Sequence, residues 1–175
     1  MAPRNEVDTF LATWNAEADA VIRLLDALPD DQYDFRPDPK GRSIGELAWH
    51  LSEIDACLTF GIAAGRFSFA DEPPDLKRPR EIKLLAPGFR RIHEQAVARL
   101  RDMQVGQLDT VVTFFDGRRI TIREVLWGQL LHHLIHHRAQ LVQLCRMAGG
   151  VPPGLYGPNR EEMKAMQERM ASGQA

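Results

Sequence analysis

Four of the chain's six histidines fall within residues 131–140, reading LHHLIHHRAQ. They form two i, i+4 pairs, His132 with His136 and His133 with His137. Side chains four apart on a helix are neighbours on one face, and two neutral imidazoles so placed can share one metal ion. Adjacent residues are turned about 100° apart, so the two pairs face different ways. With Ile122 set at about 0°, His133 and His137 fall at about 20° and 60°, inside the stripe of Leu126, Leu130, Leu141 and Leu144. His132 and His136 fall at about 280° and 320°, beside Gln143 and Ala139. The phase points His133 and His137 inward. A buried imidazole needs a partner, because an unpaired polar group away from water costs free energy. A metal ion is one partner. Two core histidines bonded to their neighbours, or a histidine-bearing surface stripe, are the other readings of this helix.

A second stretch offers a third ligand. Ser43 and Glu46 read as a capping box, predicting a helix from about Ile44 to Ala64 with Leu47, Leu51, Ile54, Leu58 and Ile62 on its apolar face. His50 lies on the flank of that face, with Glu53 three residues on and Cys57 nearly above it. His50 is either a ligand or a half-buried histidine bonded to a carbonyl or to Glu53. Cys57 reads as a small core residue, since free cysteines are among the most buried types. His93 reads as a partly exposed helix histidine and not a ligand.

The remaining elements must hold these groups together. Val7, Phe10, Leu11, Trp14, Ala18, Val21, Leu25 and Leu28 recur at helical spacing, and Pro29 stops that helix. Loops with three prolines each follow at 29–42 and 65–79. Ile82, Leu85, Phe89, Ile92, Ala96, Leu100 and Met103 keep helical phase, interrupted by Pro87-Gly88. The interruption predicts a kink, or a short turn before a main helix with Pro87 at its first position. The β-branched and aromatic run 111–115, followed by Asp116-Gly117, predicts a small hairpin closed by a two-residue turn. Thr121 and Glu124 are a second capping box, opening the histidine helix, which Gly149-Gly150 ends. Asn159 caps a short last helix, Arg160 to about Met170, whose Met163, Met166 and Met170 suggest packing or a dimer contact; the tail after Ala171 should fray.

Four long helices and one hairpin describe an all-α four-helix bundle, the kind of fold that builds metal sites from side chains on facing helices. His50 from one helix with His133 and His137 from another would leave coordination positions open, as in catalytic rather than structural sites.

At 175 residues the chain fits one domain spanning 1–175, with a core of about 7–157 and a short helix and tail over 158–175. Hydrophobic residues are 44% and charged ones 26% of the chain, a soluble globular balance. A formal net charge of −2 and the lack of a basic stripe argue against nucleic acid. No apolar run is long enough for a membrane span, and the start MAPRNEVDTF lacks the apolar stretch of a secretory signal. Cys57 and Cys145 form neither a CxxC nor a disulfide framework, so a cytoplasmic protein with reduced thiols is expected. The Glu-x-x-His pairs of a di-iron bundle and the C-x-x-C-H of a c-type haem are both absent.

Two stretches carry a family likeness: Arg42-Ser-Ile-Gly-Glu-Leu-Ala-Trp-His50-Leu, and His133-x3-His137-Arg-Ala-Gln140. In this order and spacing, and over about residues 7–157, the chain resembles the DinB/YfiT-like family, regarded as metalloenzymes. The family pattern ends H-x3-H-R-G-Q; here Ala139, also small, replaces the glycine. The resemblance implies an up-down-down-up bundle, a divalent metal (zinc or nickel) at His50, His133 and His137, and a homodimer. It also implies a thiol-dependent activity such as a bacillithiol S-transferase or mycothiol-dependent isomerase, with a small-molecule thiol and an electrophile as partners. A metal-dependent hydrolase, with Glu53 as the base, and a non-enzymatic, stress-related metal- or ligand-binding protein are the alternatives. No individual catalytic residue is assigned.

Overall fold

The computed structural model describes residues 5–173; residues 174 and 175 of the tail expected to fray lie outside them. Helix α1 (Glu6–Leu25) starts where the Asn5 side chain accepts the Asp8 N–H, and buries Val7, Phe10, Trp14, Ala18, Val21 and Leu25. Helix α2 (Ile44–Ala64) begins at the Ser43–Glu46 capping box and stops at Gly65, whose φ of 69° is left-handed. Helix α3 (Leu85–Leu100) is entered through a single 3-10 turn, Ile82–Leu84. Pro87 is its third residue, not its first, and the helix runs on unbroken. A first-turn N–H has no intrahelical partner to lose, so proline is tolerated there.

Strands β1 (Val111–Thr113) and β2 (Arg119–Thr121) pair antiparallel, with Val112 opposite Ile120. The connection is longer than the expected two-residue turn. Phe114 N–H donates to the Arg118 carbonyl, the Phe114 carbonyl accepts from Gly117 N–H, and Gly117 has φ 83°. This is a three-residue loop with glycine in the left-handed position, and it turns Phe114 and Phe115 toward the bundle. Helix α4 (residues 122–147) is capped by Thr121 and Glu124 as expected, and Gly149 (φ 85°) follows its end.

Helix α4 is one helix in three stretches: α-helical over Ile122–Glu124, π-helical over Val125–His132 and α-helical over His133–Met147. A π turn closes i to i+5, so each residue rotates less than in an α turn. The constant step used on the sequence therefore overshoots across this stretch. The buried face runs through Leu130 and Leu131 at the end of this stretch and through Leu134, Arg138, Leu141 and Cys145 beyond it. His133, His137 and Leu144 sit half-buried on its flank rather than within it.

α1 and α4 run the same way: Glu6 pairs with Arg123, Glu17 with Arg138, and Cys145 S–H reaches the Ala27 carbonyl. α2 and α3 also run together, through Asp55 with His93 and Thr59 with Arg99. The connection 26–43 packs back on the bundle through buried Leu28 and Tyr33, whose carbonyl accepts from Gly45 N–H. The bundle is up-down-down-up, as expected. Helix α5 (Arg160–Ala171) is capped by Asn159 and Glu162, but it buries none of its residues, and Met163, Met166 and Met170 are exposed.

The bundle's centre is polar at one point. Asp55, wholly buried, accepts from Trp14 Nε1 (3.2 Å) and from His93 Nδ1 (2.8 Å). His93 Nε2 lies 3.0 Å from Asn15 Oδ1. His93 is thus a buried core histidine rather than a partly exposed one: α3 turns it inward onto a carboxylate that its own helix does not announce.

Candidate metal centre

His50 lies in the second turn of α2, and His133 and His137 in the first two turns of the α-helical stretch of α4. The three rings converge between the two helices. Centroid distances are 4.8 Å from His50 to His137, 5.7 Å from His50 to His133 and 4.6 Å from His133 to His137. One nitrogen from each ring lies within 4.8 Å of the other two. His133 Nε2 and His137 Nε2 are 2.8 Å apart.

The outward nitrogens are occupied. His50 Nδ1 is 2.9 Å from Glu53 Oε2, and His137 Nδ1 is 2.7 Å from Gln140 Oε1. The backbone carbonyl of Gln129, four residues earlier on the same helix, acts on the His133 ring. A carboxylate and two carbonyl oxygens are acceptors, so each takes an N–H and leaves the opposite nitrogen with a lone pair. Outer hydrogen bonds of this kind fix the tautomer and orientation of metal-ligating histidines. Lone pairs converging on one point fit a cation: tetrahedral zinc ligands at about 2.0–2.1 Å stand about 3.3 Å apart, between the 2.8 Å of the His133–His137 pair and the 4.8 Å that bounds the set.

Electrostatics keeps the rings in ligand form. Partial burial, then the neighbouring His50, lowers the His133 pKa; burial, only partly offset by the Gln140 bond, lowers that of His137 to about 4. Neutral imidazoles at neutral pH are the species a metal requires.

The other candidates fall elsewhere. His132 and His136 are exposed; His136 Nε2 meets Gln140 Nε2 at 3.0 Å, so it touches the site only through Gln140. His93 belongs to the buried Asp55 network. Cys57 is half-buried on a cavity wall beside His50, not a core residue, and burial pushes its thiol up to about 11. That cavity, about 1100 Å³, is bounded by α2, the connection 66–77, the hairpin loop and α4, and opens onto His50 and His133. Two supporting groups escaped the sequence. The Gln129 carbonyl becomes a partner only because of local helix geometry. Arg138, only 1% exposed, ties α4 to α1 through Glu17 and to Tyr156 immediately after His137. A charge next to a candidate ligand on a buried face was the available signal.

Comparison with known proteins agrees with the fold. The model of the DinB family matches residues 1–170. Uncharacterized protein YrdA of Bacillus subtilis is 28% identical over 156 residues, 89% of this chain and 91% of that protein. The crystal structure of a DinB-like protein from Bacillus cereus superimposes with a TM-score of 0.69 at 28% identity, over 84% of this chain and 95% of that one. A DinB-like protein from Bacillus subtilis, YjoA, gives 0.67 at 22% identity, over 87% and 99%.

Proposed function

This chain belongs to the DinB family, and from that premise we propose that it is a metal-dependent enzyme acting on a small molecule admitted through the cavity. His50, His133 and His137 hold one divalent ion, zinc or nickel, and the reaction is a thiol S-transfer of the bacillithiol or mycothiol type. The observation that carries the metal reading is the convergence of three imidazole nitrogens, with the outer nitrogens of His50 and His137 already bonded. The S-transfer reading comes from the family resemblance.

When bound, the ion would supply Lewis acidity, lowering the pKa of a thiol brought to it. The chain's residues do the rest. Glu53 and Gln140 hold the His50 and His137 rings in place. Cys57 remains a protonated thiol at neutral pH, which favours a nucleophile brought in as a small molecule over one supplied by the chain. The same geometry disfavours a hydrolase: Glu53, the candidate base, is engaged by His50 Nδ1.

Metal analysis of tag-free protein tests the first part, with one ion per chain expected. His133→Ala or His137→Ala should release most of it, while His132→Ala should keep it; full retention in His133→Ala would overturn the ligand set. Thiol titration by calorimetry, then an epoxide and halide panel with bacillithiol, mycothiol and glutathione, tests the second part. No turnover by metal-loaded protein would leave the stress-related metal-binding protein as the better reading.

We also read the chain as one domain over 1–175, cytoplasmic and homodimeric. The dimer rests on the resemblance alone. The sequence also offers a second apolar stripe for such a contact, Leu131, Ile135 and Val142, but Leu131 is buried and the other two pack on the chain's own core. No helix among the described residues is long and apolar enough to cross a membrane.

A further inference from the structure

The cavity beside the histidines has two unlike ends. At one stand His50, His133, Glu53 and Gln129. The other is aromatic: Phe60, Phe67, Phe69, Phe114 and Phe115, five of the chain's eight phenylalanines, line it. Phe67, from the connection after α2, meets Phe114 and Phe115 of the hairpin loop at 5.2 and 5.3 Å, and Phe69 stacks on Phe115 at 4.7 Å. Phe69 is 86% exposed and the others are half-buried. Ring surface is therefore left for an occupant, and aromatic groups pack favourably on ring faces and edges. A volume of about 1100 Å³ accommodates a drug-sized molecule.

Charge narrows the class. The lining carries five carboxylates (Glu53, Asp71, Glu72, Asp75 and Asp116) against three cations, Arg66, Lys77 and Arg118. Two of those cations are already engaged, Arg66 by Asp71 and Arg118 by Asp116. Away from Glu53 and the histidines the lining still holds four carboxylates against three cations, so a multiply charged anion at the aromatic end would meet a net negative field.

We propose that this cavity binds an uncharged, ring-bearing organic molecule, its ring against Phe67, Phe114 and Phe115 and its polar end toward His50 and His133. The orientation rests on the metal-centre reading above; the affinity and the preference for neutral rings do not.

Two dyes with one skeleton separate the alternatives. N-phenyl-1-naphthylamine is neutral, and 8-anilino-1-naphthalenesulfonate adds a sulfonate. Fluorescence titration should give one neutral dye per chain, bound at least about tenfold more tightly than the sulfonate. Phe67→Ala and Phe115→Ala should each weaken the neutral dye about tenfold through lost apolar contact. Should either fail to fold by circular dichroism, Phe69→Ala, outside the core, must weaken it measurably. The neutral dye should also slow alkylation of Cys57 by N-ethylmaleimide, a clean readout because Cys145 is fully buried. Equal binding of the two dyes, indifference to the phenylalanine variants, or an unchanged Cys57 rate would each overturn the proposal. The metal reading fails separately: a His133→Ala protein that loses its ion and still binds the neutral dye supports the cavity assignment. Ion-loaded protein that ignores the neutral dye refutes this proposal alone.

Discussion

Gln140 links two histidines, its Oε1 on His137 Nδ1 and its Nε2 on His136 Nε2. Gln140→Leu should therefore weaken metal binding about 10–100-fold without removing a ligand, as loss of an orienting partner does; competition against a chromogenic chelator measures it. His137 also sets a pH response. Its pKa falls from 6.5 to about 4 on folding. Between those values the unfolded chain binds a proton that the folded chain does not. The metal-free protein should thus lose stability as pH drops from about 6.5 toward 4, by a modest amount because the ring is half-exposed and solvent-screened. Urea midpoints across that range check the sign, and a rise in stability on acidification would contradict it. Asp55 makes a steeper case. Asn15 Nδ2 donates to the Leu11 carbonyl, so its Oδ1 faces His93 Nε2, while His93 Nδ1 faces Asp55. Acceptors therefore flank both nitrogens of the buried His93 ring. Asp55→Ala would strand that imidazole in the core and should cost about 3–5 kcal/mol, read by urea denaturation.

Helix contacts set the signs of glycine substitutions. A Cβ on Gly88 would lie 2.7 Å from Trp49 Cζ3, and one on Gly45 would run into the Tyr33 ring. Both rings are pinned: Trp49 Nε1 donates to the Leu76 carbonyl and Tyr33 Oη to the Pro79 carbonyl. Overpacking of about 1–3 kcal/mol should outweigh the roughly 1 kcal/mol that alanine gains over glycine in a helix, so Gly45→Ala should destabilise. Gly128, within the π-helical stretch of α4, has nothing within 4 Å of its would-be Cβ. Gly128→Ala should stabilise by up to about 1 kcal/mol. Thermal melts of the two variants should move in opposite directions; a shared direction would mean that propensity or packing alone decides.

Across the whole molecule, the proposed ion joins α2 to α4, so binding is linked to folding. At a free concentration about 100 times its dissociation constant an ion adds about 2.7 kcal/mol. For a chain of 175 residues that corresponds to a fall in Tm of about 5–10 °C on chelation. An unchanged Tm after verified metal removal would mean that the three histidines do not bind it in the native state. The dimer is a separate expectation. Sedimentation at micromolar concentration should give twice the 19.8 kDa chain mass, and a monomeric mass would remove it.

Local chemistry determined much of this protein before any coordinates. Ser43 with Glu46 and Thr121 with Glu124 cap helices because their side chains satisfy the N–H groups a helix start leaves free, and three- and four-residue apolar spacing traces helical faces wherever the helix is regular. The bundle and the His133–His137 pair follow from these signals alone. What pairs with what across the chain was decided by packing. His93 looked half-exposed because Asp55, which buries it, lies 38 positions away on another helix. Arg138 is buried against Glu17 and Tyr156, which come from other segments. The position of His133 and His137 on the flank of the core, with His133 on the cavity wall, depends on eight π-helical residues, a deviation with no composition of its own. Only the folded chain brings Phe67 to Phe114 and Phe115, because a contact between a loop and a hairpin leaves no periodicity in either.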